Sequence, residues 1–245
     1  PLLKRDNVIY FNPKMFDPND NRCTSYWCYH LVGGSKWIAA VGITADWDIP
    51  PFLDELKKEY PGLIGDNPKS PPDLLFNSKL GDLTKIFFFC LKGTSTDVKK
   101  TINCLMKIQD PNEILEQTTP PGKFLYKRAK TLQKEYDKLL EEAKNTVTKE
   151  KLLVFIYREA KNSHTSLISN ELIYNYPNKV ILIGREKSSE IKFSIRSPKH
   201  NLPQIIEKAL EGVEGYGGGH EHACGGCVKK KDFNKFIDSL KEQIK

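Results

Sequence analysis

The last hundred residues change hydrophobic period repeatedly, and this limits the possible fold more than any other feature of the chain. Leu152-Leu-Val-Phe-Ile-Tyr157 is an unbroken apolar run of strand length, Thr165 to Tyr176 has helical spacing, and Lys179-Val-Ile-Leu-Ile183 is a second strand-like run. Ile191-Lys-Phe-Ser-Ile-Arg196 then alternates with period two, and Leu202 to Glu211 returns to helical spacing. Strands alternating with helices imply an α/β domain. In this reading Arg196 ends a strand, and a glycine loop leads into a final helix near Asp232.

Upstream, after Pro120-Pro121-Gly122, the residues Leu125, Ala129, Leu132, Tyr136, Leu139, Ala143 and Val147 recur at steps of three and four with Lys and Glu between them. One amphipathic helix fits. Its roughly 24 residues would extend about 36 Å at the helical rise, enough to join two domains. The same pattern also suits a helix packed on the surface of one domain. Earlier still, Val8-Ile-Tyr-Phe11 reads as a short strand stopped by Asn12-Pro13, and Cys23 to Leu31 as a helix ending at Gly33-Gly34. Trp37 to Ala45 is apolar on every side and must be buried. Pro50-Pro51 precedes a helix at Phe52 to Tyr60, and Pro71 to Glu116 is helical, with Leu75, Leu80, Leu83, Ile86 and Phe87 on its apolar face.

The 245 residues carry 38 Lys and Arg against 31 Asp and Glu, a formal charge of +7. That excess suits a polyanionic partner through steering and counterion release, but a lysine-rich solvated surface has the same balance. No apolar run approaches the ~20 residues that span a bilayer, and no signal-peptide pattern is seen, so a cytosolic location is expected. The six cysteines, at positions 23, 28, 90, 104, 224 and 227, have mostly apolar neighbours and suggest reduced thiols rather than a disulfide framework.

The strongest functional signal is Tyr216-Gly-Gly-Gly-His-Glu-His-Ala-Cys-Gly225, which follows twenty residues after Phe193-Ser-Ile-Arg-Ser197. Consecutive glycines let backbone N–H groups approach an anion with no Cβ in the way. Arg196 offers a planar two-pronged donor for phosphate, and His220 a further donor. His220, His222, Cys224 and Cys227 also have the atom types for tetrahedral zinc. Packed into eight residues they would need a very tight knuckle, so zinc there stays open. Lys229-Lys230-Lys231 is either a solvated face or a further phosphate contact, and His164 reads as a helix-start residue.

The two segments together resemble the C-terminal domain of the DHH phosphoesterase superfamily, which includes RecJ-type exonucleases, small-oligonucleotide nucleases and cyclic-dinucleotide phosphodiesterases. Gly218, Gly219, His220, Ala223, Cys224 and Gly225 resemble its G-G-H-x-x-A-(A/C)-G loop, and Ser194 and Arg196 its S-x-R strand. Trp37 to Asp46 is similar to the family's apolar segment ending in G-T-I-A-D, whose aspartate is a metal ligand. The resemblance implies an α/β fold in three parts. These are the C-terminal part of a DHH domain with a short strand and helices (1–120), a long connecting helix (121–149), and a smaller DHH-associated substrate-binding domain (150–245).

It further implies a RecJ-like phosphodiesterase or exonuclease on single-stranded DNA or RNA, with Mn²⁺ or Mg²⁺. Asp46 would be a metal ligand, and Ser194, Arg196, Gly218, Gly219 and His220 would hold the phosphate chain. The family's D-x-D strand and Asp-His-His triplet are not found, since none of the five histidines follows an aspartate. The expected remedy is a partner polypeptide carrying those motifs and sharing the metal ions, the chain being the C-terminal product of a split gene or a cleaved protein. The isolated chain is then expected to be inactive. Two other readings remain: a non-catalytic nucleic-acid-binding or replication-scaffold relative, and a phosphodiesterase for short oligonucleotides or cyclic dinucleotides.

Overall fold

Prolines and polar caps punctuate the first part of the chain into short helices: α1 (Thr24–Val32), α2 (Lys36–Ala45), α3 (Leu53–Glu59), α4 (Pro71–Phe76) and α5 (Lys79–Cys90). In the computed structural model residues 6–65, 68–158 and 162–244 are described. The chain divides into two compact units, Pro1–Lys85 and Ile86–Lys245, with the division falling inside α5. In the first unit the Ser70 hydroxyl accepts from Asp73 N at 3.3 Å and prolines fill the first turn of α4. Trp37, Ala40 and Ile43 of α2 are buried with Leu56, Leu63, Leu74, Leu80 and Leu83. Trp37 to Ala45 is therefore a largely buried helix, although Ile38 remains 42% exposed.

The strand expected at Val8 to Phe11 does not form. Val8 makes an isolated bridge, and all four side chains are exposed. A strand needs a continuous ladder to satisfy its backbone, and here the pairing stops at the single bridge of Val8, while Phe11 packs on Phe16 and Trp27. Asn12 instead caps a 3-10 turn, Pro13–Met15, by accepting from Lys14 N.

In the second unit α6 (Ser95–Leu105) begins with a reciprocal cap between Thr94 and Asp97, and α7 (Asn112–Leu115) precedes α8 (Pro120–Lys144). Thr119 caps α8, and its 25 residues bury Leu125, Ala129, Tyr136, Leu139, Leu140 and Ala143 along one stripe. This stripe packs on α6 and α7, and on α9 (Thr165–Asn175). The Tyr136 hydroxyl donates to Glu171 of α9 at 2.5 Å.

Five strands follow: β1 (Leu152–Arg158), β2 (Val180–Lys187), β3 (Glu190–Arg196), β4 (Gly215–His220) and β5 (Ala223–Lys229), in spatial order β1-β2-β3-β5-β4. β1 and β2 are parallel, with α9 between them in sequence, and the other pairs are antiparallel. α10 (Leu202–Ala209) joins β3 to β4, and α11 (Phe233–Gln243) closes the chain. The expected glycine loop is thus the edge strand β4, which turns through Glu221-His222 into β5 before the last helix. Glycine is a poor strand former in isolation. Here the ladder to β5 fixes it, and α10 packs on β4.

Cross-strand partners share a face of the sheet. One face buries Leu152, Val180, Leu182, Ile191, Phe193, Ile195, Cys224 and Val228 against Leu202 and Ile206 of α10 and Phe236 and Leu240 of α11. The other carries α9 over β2 and β3. Among the described residues no helix is long and apolar enough to cross a membrane.

Candidate nucleic-acid interface

The register of β3, β5 and β4 sets the functional residues in rows on the α9 face. Arg196 pairs with Ala223, and Ala223 with His220. Two residues along, Ser194 pairs with Gly225, and Gly225 with Gly218. Two further along, Lys192 pairs with Cys227, and Cys227 with Tyr216. All six residues of β4 are exposed, while Ala223 and Gly225 are half-buried.

The glycines here have different reasons to be glycine. A Cβ on Gly226 would collide with the Tyr216 carbonyl and lie 2.6 Å from Phe193 Cζ, and Gly219 has φ 149°. Gly218 is constrained by neither: a Cβ there meets nothing within 4 Å. The fold does not require glycine at 218, and its absent side chain leaves bare backbone exposed in the row between Arg196–His220 and Lys192–Tyr216.

Arg196 is held in place by its neighbours. Its Nε donates to Asn170 Oδ1 at 2.7 Å, and Nη1 to the carbonyls of Ile195 (2.9 Å) and Cys224 (3.2 Å). Nη2 lies 3.4 Å from Ser166 Oγ, at an exposed position. Burial lowers its pKa from the usual arginine value, but a guanidinium stays charged. Ser194 is placed differently: it is buried, and its hydroxyl donates to Thr165 Oγ1 at 3.4 Å. It therefore secures the first turn of α9, from which Ser166 and Asn170 position Arg196. His220 is exposed at the end of β4. Sequence reasoning missed Asn170, Thr165 and Ser166. Their signal was polar residues at helical spacing in a segment otherwise apolar toward the sheet.

Cys224 and Cys227 lie three residues apart on one strand, so they project from opposite faces. Cys224 joins the core cluster, and Cys227 donates to Glu190 at 3.6 Å. Burial pushes both thiols up, and Glu190 adds to the effect at Cys227. Among the described residues no three His, Cys, Asp or Glu groups come together to hold a metal ion, so the four do not make a zinc knuckle. The lysine run is neutralised in place. Lys229 pairs with Glu190 at 2.9 Å, Lys230 with Glu186 at 2.6 Å and Lys231 with Glu214 at 2.8 Å.

Asp46, in the first unit, is the exposed C-cap residue of α2. The turn after it has paired closing bonds, from Asp48 N to Ile43 O (3.1 Å) and from Trp47 N to Thr44 O (3.2 Å). The left-handed position of this turn usually belongs to glycine, but Trp47 holds it with φ 62°, its ring 6.5 Å from that of Phe76. Asp46 and Asp48 thus flank a strained residue, close enough to Cys23 to reinforce the upward shift that burial imposes on its thiol. This group does not by itself make a metal site.

His164 precedes α9 with its side chain fully buried, its ring 6.1 Å from Phe89 and 6.0 Å from Tyr136. Its backbone N donates to the Tyr157 hydroxyl at 2.8 Å, and Nε2 lies 3.4 Å from Glu135. Burial lowers the imidazole pKa, aided by Lys92 and Arg185 and opposed by Glu135.

The DHHA1 domain matches residues 149–245. No curated protein matches the sequence. Among solved structures, RecJ in complex with Mn²⁺ from Thermus thermophilus superposes with a TM-score of 0.57 at 14% identity, over 85% of this chain and 32% of that one. The pGpG-specific phosphodiesterase PggH from Vibrio cholerae gives 0.51 at 16% identity, over 79% and 67%. The DHH domain of a member of the s1p family of ribosomal proteins gives 0.50 at 13%, over 85% and 49%. The chain spans about a third of the RecJ structure, and at these identities the likeness establishes the fold. Residues 149–245 thus match the DHHA1 domain, and over most of its length the chain shares the fold of these RecJ and phosphodiesterase structures.

Proposed function

We propose that this protein is the C-terminal, substrate-holding part of a RecJ-like metal-dependent phosphodiesterase acting on single-stranded DNA or RNA. The observation that carries this reading is the row Arg196–Ala223–His220 beside the bare backbone of Gly218. An anchored fork and an imidazole face the same way across small residues, an arrangement suited to phosphate oxygens. Ser194 supports it through Thr165. Positioning of this kind contributes by orienting the scissile bond rather than by proton transfer.

Hydrolysis with Mn²⁺ or Mg²⁺ needs a set of hard ligands that the described residues lack. In our reading Asp46 completes a centre whose other ligands lie on a polypeptide carrying D-x-D and Asp-His-His motifs. No reaction step is assigned to this chain alone. The test is native mass spectrometry of the protein from its source cells, followed by hydrolysis of single-stranded DNA and RNA with Mn²⁺. The expected result is a complex with such a polypeptide whose activity is lost in Asp46→Ala. A protein that binds single strands alone, without hydrolysis and regardless of Asp46→Ala, is instead a non-catalytic binding module.

A further inference from the structure

The middle strand of the three rows is small throughout. On the α9 face β5 presents Ala223, Gly225 and Cys227, while the flanking positions are Arg196 and Lys192 on β3 and His220 and Tyr216 on β4. The register thus makes a trough along the strand axis, with two walled ends and a bare-backbone middle. Arg196 and His220 wall one end. At the other, Tyr216 is 67% exposed, and Lys192, across Cys227 from it, is also exposed. Glu190, on the same face, pairs with Lys229 at 2.9 Å and accepts from Cys227 at 3.6 Å, and the Lys192 charge also acts on it.

An aromatic ring held out from an edge strand, opposite an exposed ammonium, suits a base stacked on the ring and a phosphate on the lysine. Four residues of β3 separate the two ends, about 13 Å at the strand rise. A single strand with its bases stacked at a rise of roughly 3.4 Å covers that distance in about four nucleotides.

We propose that Tyr216 and Lys192 form a second nucleotide subsite at the far end of this trough, which makes the surface a seat for single strands of about four or more nucleotides rather than for dinucleotides. This rests on the phosphate-holding role of Arg196 and His220 and adds the substrate class to it. The strand lies along β5, with one phosphate at Arg196, bare backbone beneath the intervening units, and a base against Tyr216. Neither Tyr216 nor Lys192 buries its side chain, so changing them leaves the fold intact.

The test is competition by unlabelled thymidine and uridine di- and hexanucleotides against a fluorescein-labelled hexanucleotide, using the whole chain. Tyr216→Ala is expected to weaken hexanucleotide binding about fivefold or more and to leave dinucleotide binding unchanged. Tyr216→Phe should retain wild-type affinity, and Lys192→Gln should lower the salt dependence for the hexanucleotide only. If Arg196→Ala loses binding while Tyr216→Ala and Lys192→Gln bind the hexanucleotide as the wild type does, the second subsite is overturned and the phosphate grip stands. If the wild type binds neither length, the grip falls too.

Discussion

Arg196 and His220 are both cross-strand neighbours of Ala223, on either side of it, so an anchored guanidinium and an exposed imidazole stand two strand spacings apart on one face. Two spacings are about 10 Å, and the residue between them is too small to obstruct a ligand. The guanidinium is fixed by Asn170 and by two carbonyls, leaving Nη2 nearest the surface.

Arg196→Lys keeps the charge and loses the fork that these partners hold. Affinity for a single-stranded oligonucleotide should fall about tenfold, with little change in the slope of log K against log salt. Arg196→Ala should weaken binding further and lower that slope by about 0.7, one phosphate contact on a single strand. Fluorescence anisotropy titrations over a salt series measure both.

Gly218 and Gly226 should respond oppositely to alanine. At 218 the new methyl meets no protein atom, so the melting temperature should stay near wild type while single-strand binding drops. At 226 it meets the Tyr216 carbonyl and Phe193, and overpacking of this kind costs about 1–3 kcal/mol. Calorimetric melting combined with binding checks the pair. A wild-type melting temperature for Gly226→Ala would contradict the packing argument.

At Trp47 the usual ranking of substitutions should invert. Glycine normally destabilises relative to alanine, but at φ 62° alanine retains the left-handed cost and glycine does not. Both variants lose the contact with Phe76, so Trp47→Gly should be more stable than Trp47→Ala by about 1 kcal/mol. Urea titration of the two variants measures the difference.

His164 should make stability depend on pH below its ordinary pKa of about 6.5. Its folded pKa is lowered, mainly by burial, so below that value the unfolded chain binds the proton first. Stability is then lost as the pH falls. Above about pH 6.5 the contribution is complete. Between about pH 6.5 and 5 the melting temperature should decline, and His164→Gln should flatten the decline even if its melting temperature is lower throughout.

The sequence foretold β1 to β3 and the helices around them, because their apolar residues follow the sheet and helix periods, but not β4 or β5. The same reasoning failed at Val8 to Phe11, where the pattern was strand-like and pairing goes no further than one bridge at Val8. It failed differently at Gly215 to His220. Four glycines carry no periodic signal, and only the ladder to β5 makes them a strand. Of the candidate site, Arg196 and His220 were legible as chemistry, but the depth of Ser194 was not, since a strand pattern gives the face and not what lies above it. Asn170 escaped notice because its role depends on where α9 lands. The four-residue zinc alternative ends with the alternation of β5, which sends Cys224 and Cys227 to opposite faces.

The glycine-rich edge strand also bears on time. β4 is laddered on one side only, four of its six residues are glycine, and none is buried. Segments of this kind open locally long before a domain unfolds, so the amides of residues 215–220 should exchange with solvent sooner than those of β2 or β3. A ligand held by those amides is held only while the strand stays in register. Its residence is then coupled to a local opening of the backbone, and a bound strand should slow the exchange of the residues that grip it.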